Sequence, residues 1–435
     1  MNDDWSSRRL HFVGIGGAGM SGLALVAQAL GARVTGSDRA DSPYAERLRE
    51  HGIEATIGQA AANVPPGAEV VYSSAIPAEN PERLAAAGRE LHRADLLGEI
   101  TRLRRCIAIT GTHGKTTTTA MVVHALRGCG LDPSYLVGGE LGDTGSNAGW
   151  GKGEWVVVEA DESDRSLLKL DPDVAVLTHA ELDHHATYTS RLDLEATLAE
   201  FMRGAEHAVV WDRPALRALC PSGAVAYDAD SPVLGPGGSR FRWREIDVFV
   251  GVPGAHNAVN ATGALEACVL AGADPAVAAA TLADFRGARR RFERVGDTAS
   301  GAAVYDDYAH HPTEVAAMVA LARTLEPARV VAVFQPHLYS RTRPLARAFG
   351  AALAGTDVAL VLDIYPAREH AEDFPGVSGH LVAAAAADAG LGAQVAWIPD
   401  FAEATRFLGS ILRAGDLCLV MGAGNVDSLA RALVD

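Results

Sequence analysis

Short apolar runs along this chain alternate with alanine- and leucine-rich stretches of helical spacing, and the alternation recurs three times. In the first stretch, Arg9 to Gly14 reads as a strand, a helix runs on to Leu30, and Arg33 to Gly36 reads as a second strand ending at Ser37-Asp38. Glu69 to Ser74 reads as a later strand. In the second, Cys106 to Ile109, Trp155 to Glu159 and Val174 to Leu177 read as short buried strands, and His256 to Leu270 as a helix after Pro253-Gly254. In the third, strands are expected at Ala303 to Asp307, Val330 to Phe334, Val358 to Leu362 and Leu417 to Val420, with helices between them, one containing the alanine run 383–387. Strands that alternate with helices pair in parallel, because each helix carries the chain back across the sheet. The expectation is an α/β chain of three domains, with boundaries at 1–103, 104–294 and 295–435.

Two glycine-bearing turns follow predicted strands. Thr110-Gly111-Thr112-His113-Gly114-Lys115-Thr116-Thr117 lies between the Cys106 strand and a helical pattern from Thr118 to Leu126. Strand, glycine loop and a helix opening on Lys-Thr make a phosphate cradle. Backbone N–H groups and the helix N-terminus face the anion, Lys115 adds a point charge, and the Thr116 hydroxyl is a magnesium ligand. The glycine that opens the common nucleotide loop is Ile109 here. The central domain is therefore expected to be of the P-loop ATPase type and to bind ATP. The second turn, Gly14-Ile15-Gly16-Gly17-Ala18-Gly19, suits a diphosphate, since missing side chains let the backbone approach it. By itself it serves NAD, FAD or a UDP-sugar equally well, and it marks the N-terminal domain as Rossmann-like, as the strand pattern does the C-terminal one.

Composition narrows the classes. At 435 residues with 48% apolar and 21% charged residues, the chain should be globular and divided into several cores. No run approaches the length of a membrane helix, and Met1-Asn2-Asp3-Asp4 is not a signal peptide, so neither a membrane nor export is expected. Five scattered cysteines without metal spacing suit a reducing cytoplasm. A net charge of −16 argues against nucleic acid. It also singles out the local basic groups: Arg289-Arg290-Arg291, Arg341 and Arg343, and Lys115, one of only three lysines.

Strand ends carry the chemistry in such sheets. Glu159-Ala160-Asp161-Glu162-Ser163-Asp164 and Thr178 to His185 leave the central strands beside the loop. Thr116 and Glu159 are oxygen donors suited to a first magnesium, and His184 to a second next to an acceptor carboxylate. Zinc is the poorer reading, because no HxxxH or cysteine pair accompanies these histidines. In the C-terminal domain, His337, Arg341 and Arg343 follow a strand end, and an arginine there is a natural fork for the carboxylate of a small amino acid.

Several motifs occur in a fixed order: Gly14 to Ser21, Ser73 to Pro77, Gly111 to Thr119, Glu159 to Asp164, His256 to Thr262, Arg290 to Glu293, Asp306 to Pro312 and Phe334 to His337. In this the chain resembles the Mur ligases along nearly its whole length. Within them it is similar to members that use ATP to join L-alanine to the lactyl carboxylate of UDP-N-acetylmuramate, through an acyl phosphate, during cytoplasmic peptidoglycan precursor synthesis. The resemblance implies that Gly14, Gly16, Gly17 and Gly19 hold the UDP diphosphate, with Ser37 and Ser73 nearby. It implies an ATP site of Gly111, Thr112, His113, Gly114, Lys115, Thr116 and Thr117, with Lys115 on the γ-phosphate. Asn257 and Asn260 would read adenine, Asp307 the ribose, and Arg291 the phosphates across the domain gap. Mg2+ would sit on Thr116, Glu159 and His184, and L-alanine on Tyr308, His337 and Arg341, with Lys115, His184 and Arg341 catalytic. A monomer or homodimer is expected.

The chain departs from the family pattern at three places. His179 stands for asparagine and Ala186 for aspartate in the segment Thr178 to Tyr188, and Leu338 stands where many members carry arginine. Alanine recognition would then lean on Arg341. No lysine follows Lys169, so the carbamylated lysine of several relatives has no counterpart. Serine or glycine as acceptor, a nicotinamide-dependent oxidoreductase, and a nucleotide-binding regulator are the competing readings. The Thr110–Thr117 loop argues against the second, and intact Lys115, Thr116, Glu159 and His184 against the third.

Overall fold

The computed structural model describes residues 4–183, 187–390 and 392–434. Three α/β units follow one another. The first holds a five-stranded parallel sheet in the order Glu54–Ile57, Arg33–Asp38, Arg9–Val13, Glu69–Tyr72, Glu90–His92. The second holds seven strands, with Arg105–Thr110 between Val174–Leu177 and Trp155–Glu159, both parallel to it. The third holds six strands and begins at Glu293–Asp297, an antiparallel edge strand that starts two residues before the expected boundary. The buried strands are near-continuous apolar runs, as a parallel sheet covered on both faces demands. Trp155–Glu159, Val174–Leu177 and Ala303–Asp307 lie where the apolar runs place them.

Several strands are absent from the sequence reading, among them Glu54–Ile57, Glu90–His92, His207–Trp211 and Gln394–Trp397, and so is one whole sheet. Asp230–Gly235, Gly238–Trp243 and Ile246–Val250 form a separate antiparallel meander. Its middle strand alternates arginine outward with Phe241 and Trp243 inward, a period of two hidden by its brevity and by flanking glycines. Trp243 Nε1 donates to Glu266 Oε1 at 2.7 Å, which ties the meander to the helix Ala255–Leu270.

The joins between units differ in kind. One continuous apolar core runs from Leu10, Phe12 and Leu23 of the first unit to Val156, Leu177 and Leu198 of the second. The third unit closes its own two cores. Among the described residues no buried apolar cluster spans the second and third units, which are joined by the polar pairs His113–Glu314, Thr313–Glu181 and Arg341–Asp183.

Within the third unit, helix Tyr339–Leu353 crosses helix His380–Asp388 at Gly350. A Cβ there would lie 2.4 Å from the Ala385 carbonyl carbon and 2.6 Å from its Cβ. Gly350→Ala should therefore push apart the helix that carries Arg341. The expected cost is about 1–3 kcal/mol, read as a lower urea midpoint for unfolding. An unchanged midpoint would show that the crossing tolerates the methyl.

Candidate active site at the junction of the three units

The loop after Arg105–Thr110 leaves the middle of the central sheet, so the segments after its two neighbouring strands flank it. Gly111 (φ +124°) and Gly114 (φ +82°) give it its shape. A Cβ on Gly111 would stand 2.6 Å from the His179 amide nitrogen, and one on Gly114 2.7 Å from Asn260 Oδ1. Helix Lys115–Gly128 starts directly behind, its first N–H groups aimed into the loop.

Lys115 does not reach into open space. Its ammonium donates to both oxygens of the fully buried Glu162, at 3.0 and 2.8 Å, and to the Gly111 carbonyl at 2.6 Å. Burial works against the lysine charge, but Glu162 outweighs it and raises the pKa. Thr116 faces the other way. Its hydroxyl accepts from Arg291 Nη2 at 3.1 Å and neighbours Glu159, whose carboxylate accepts from the Gly138 amide at 2.6 Å. Burial pushes Glu159 up, the response of a carboxylate enclosed without a full countercharge.

A cavity opens beside the loop between the second and third units. Eight of the expected ATP residues line it: His113, Gly114, Thr116, Thr117, Asn257, Asn260, Arg291 and Asp307. Gly111, Thr112 and Lys115 lie behind its wall. Asn257 and Asn260 share one face of the helix Ala255–Leu270. Both Asp307 oxygens accept backbone N–H groups, from Phe292 and Ala309, each at 2.7 Å, and burial pushes its pKa up to about 7 against Arg291. Trp211, Val252 and Met318 add an apolar wall that no motif announced. Of the three consecutive arginines only Arg291 enters this cavity. Arg289 pairs with Glu140, and Arg290 with Asp306 and two carbonyls.

In the first unit Gly14 takes φ +78°, and the Gly16 amide is held by Asp38 Oδ2 at 2.9 Å. Ser37 lies beside the turn, its carbonyl accepting from the Gly14 and Ile15 amides at 2.8 and 3.0 Å, while its buried hydroxyl donates to Glu82 Oε2 at 2.5 Å and strand alternation turns Asp38 towards Gly16. Ser73 is half-buried at its strand end, its carbonyl accepting from the Ile76 amide. Gly17 caps the helix Ala18–Ala29. Across from Gly19, whose added Cβ would stand 3.7 Å away, lies the Arg93 guanidinium. Arg93 pairs with Asp164 at 3.0 Å and Asp161 at 3.3 Å in the second unit. The sequence reading missed it. Its signal was an arginine directly after the strand Glu90–His92, at the carboxyl edge of the first sheet.

In the third unit Tyr308, His310, His337 and Tyr365 form a run of ring contacts at 5.4, 6.1 and 5.8 Å between successive rings. Burial lowers His310 to about 4 and His337 to about 3, so both are neutral at pH 7. Arg341 joins this cluster through His337 at 3.0 Å, and it is no open fork. Its guanidinium makes two bonds, 2.9 and 3.0 Å, to Asp183 of the second unit, and both residues are buried. Arg343 is exposed and lies over Phe374. Leu338, at φ +68°, holds a strained turn at the head of the helix that carries Arg341. His184 lies outside the described residues.

His113 knots the two units together. Its Nδ1 lies 3.0 Å from Glu314 of the third unit and its Nε2 3.0 Å from Glu181. Thr313 also donates to Glu181, at 2.8 Å. Burial opposes the imidazolium, yet Glu314 and Glu181 outweigh it and hold the pKa up at about 9. The hydrogen bond from His113 correspondingly holds Glu181 down at about 2. A raised histidine pKa stabilises the folded chain fully below the unfolded value of 6.5, and that contribution is lost as pH rises through about 9. The difference in unfolding temperature between the wild type and His113→Gln should therefore be largest near pH 6 and shrink towards pH 10. A difference that is flat with pH would mean that His113 is neutral in the fold.

Comparison with known proteins agrees with this arrangement. Residues 9–105 match the Mur ligase family, catalytic domain; residues 109–268 the Mur ligase middle domain; and residues 290–424 the Mur ligase, glutamate ligase domain. The UDP-N-acetylmuramate-L-alanine ligase of Rubrobacter xylanophilus is 42% identical, covering 98% of this chain and 99% of its own. That of Streptomyces avermitilis is 43% identical over 98% and 97%. Among solved structures, UDP-N-acetylmuramate-alanine ligase MurC of Thermotoga maritima superposes with a TM-score of 0.84 at 26% identity, covering 98% of both chains. The chain belongs to the Mur ligase family.

Proposed function

We propose that this chain joins L-alanine to the lactyl carboxylate of UDP-N-acetylmuramate with ATP as the energy source, a step of peptidoglycan precursor synthesis. The observation that carries this reading is 42–43% identity, along 98% of the chain, with relatives of that activity. The geometry supports it. A glycine turn for a diphosphate, a nucleotide cavity and an arginine–histidine cluster sit on three successive units around one junction.

The chain's own groups divide the work. The first turn, Asp38 and Arg93 hold the sugar nucleotide and bring its carboxylate to the loop. Asn257 and Asn260 bind the base. Lys115, the loop amides and Arg291 neutralise the triphosphate while the terminal phosphoryl group passes to the sugar carboxylate. The amine of alanine then attacks the acyl phosphate, and phosphate leaves. Tyr308, His337 and Arg341 hold the amino acid, whose carboxylate exchanges with Asp183 on the guanidinium. Thr116 and Glu159 offer two adjacent oxygen donors beside the loop, and the raised Glu159 pKa is relieved by a cation, so these residues fit magnesium. Bound there, magnesium would neutralise charge on the transferring phosphoryl group. No helix among the described residues is long and apolar enough to cross a membrane. Use of ATP and a nucleotide sugar supports a cytoplasmic setting.

Phosphate release from ATP is the test. With magnesium, it should require UDP-N-acetylmuramate and L-alanine together, with an amide product by mass. Release with serine or glycine but not alanine would reassign the acceptor, and no release with any would overturn the ligase reading. Lys115 supplies a second test. Lys115→Met takes the lysine from a buried carboxylate, so turnover should vanish and stability fall by about 3 kcal/mol. Adding Glu162→Gln should restore most of the stability and none of the turnover. Turnover near wild type in either variant would remove Lys115 from phosphate binding.

A further inference from the structure

His113 of the phosphate loop and His179 and Glu181 of the segment after Val174–Leu177 are far apart in sequence. In the fold each offers one donor atom within 4.8 Å of the others. His113 Nε2 and Glu181 Oε2 are already 3.0 Å apart, near the spacing of neighbouring ligands on one ion. His179 Nδ1 is buried and has no hydrogen-bond partner among the described residues. The other nitrogen of His113 bonds Glu314 at 3.0 Å, and Glu181 accepts from Thr313 at 2.8 Å. A carboxylate on the far nitrogen of a liganding imidazole is the usual way such a ring is oriented and made more basic.

We propose that His113, His179 and Glu181 form a binding site for a borderline divalent transition metal of the zinc class, distinct from the magnesium donors Thr116 and Glu159. Two imidazoles and one carboxylate suit zinc or cobalt, whereas magnesium demands oxygen ligands. The metal takes the place of the proton shared by His113 Nε2 and Glu181, and that proton leaves to solvent. Tetrahedral donors with bonds of about 2.0 Å stand roughly 3.3 Å apart, so the three donors draw together on binding. The fourth position is open to water or to a nucleotide oxygen, since His113 and His179 both line the nucleotide cavity. The site depends on His179, which stands where the family pattern has asparagine.

Cobalt(II) and zinc(II) titrated into the nucleotide-free full chain, with magnesium in excess, test this. One equivalent of cobalt should give the visible absorption of a tetrahedral nitrogen-rich site, and zinc should displace it. His179→Asn and Glu181→Gln should each weaken binding at least roughly tenfold. Absence of uptake above magnesium, or equal uptake in wild type and both variants, would overturn the proposal. Both readouts are independent of turnover, so they stand or fall apart from the ligase reading.

Discussion

The polar join between the second and third units is the constraint on which the rest of this structure depends. His113 to Glu314, Thr313 to Glu181 and Arg341 to Asp183 cross it, while the first and second units share a continuous apolar core. Apolar burial resists separation in proportion to area, whereas a polar join is held by individual hydrogen bonds and charge pairs.

Internal carboxylates hold the basic groups and the turn amide at the junction. Glu162 holds Lys115, Asp183 holds Arg341, Asp161 and Asp164 hold Arg93, and Asp38 holds the Gly16 amide. A chain of net charge −16 keeps its few buried cations from standing unpaired in this way. Each pair is also a threshold, since an incoming phosphate or carboxylate must replace a preformed contact. Selectivity gains from that exchange, because a ligand unable to reproduce the displaced hydrogen bonds leaves a buried charge unsatisfied.

Local pattern made much of the architecture legible. Buried parallel strands are apolar runs of fixed length, so the central strands of the three sheets could be read directly, whereas the more exposed edge strands Glu54–Ile57, Glu90–His92 and Gln394–Trp397 could not. The meander Asp230–Val250 escaped because its strands are short and edge-exposed. Adjacent strand residues face opposite ways, and only the register settles that the Ser37 hydroxyl goes to Glu82 while the Asp38 carboxylate takes the Gly16 amide.

The sequence by itself determined the α/β class, the order of the three units and the glycine loop between Arg105–Thr110 and its helix, since each rests on contacts within a strand–turn–helix unit. Only the tertiary structure decided what those residues touch: Lys115 with Glu162, Arg341 with Asp183, Arg93 beside Gly19, and His113 among His179, Glu181 and Glu314. These are pairings between segments tens to hundreds of residues apart. Nothing in local periodicity encodes them, because they arise from how whole sheets dock and which strand ends that docking brings together.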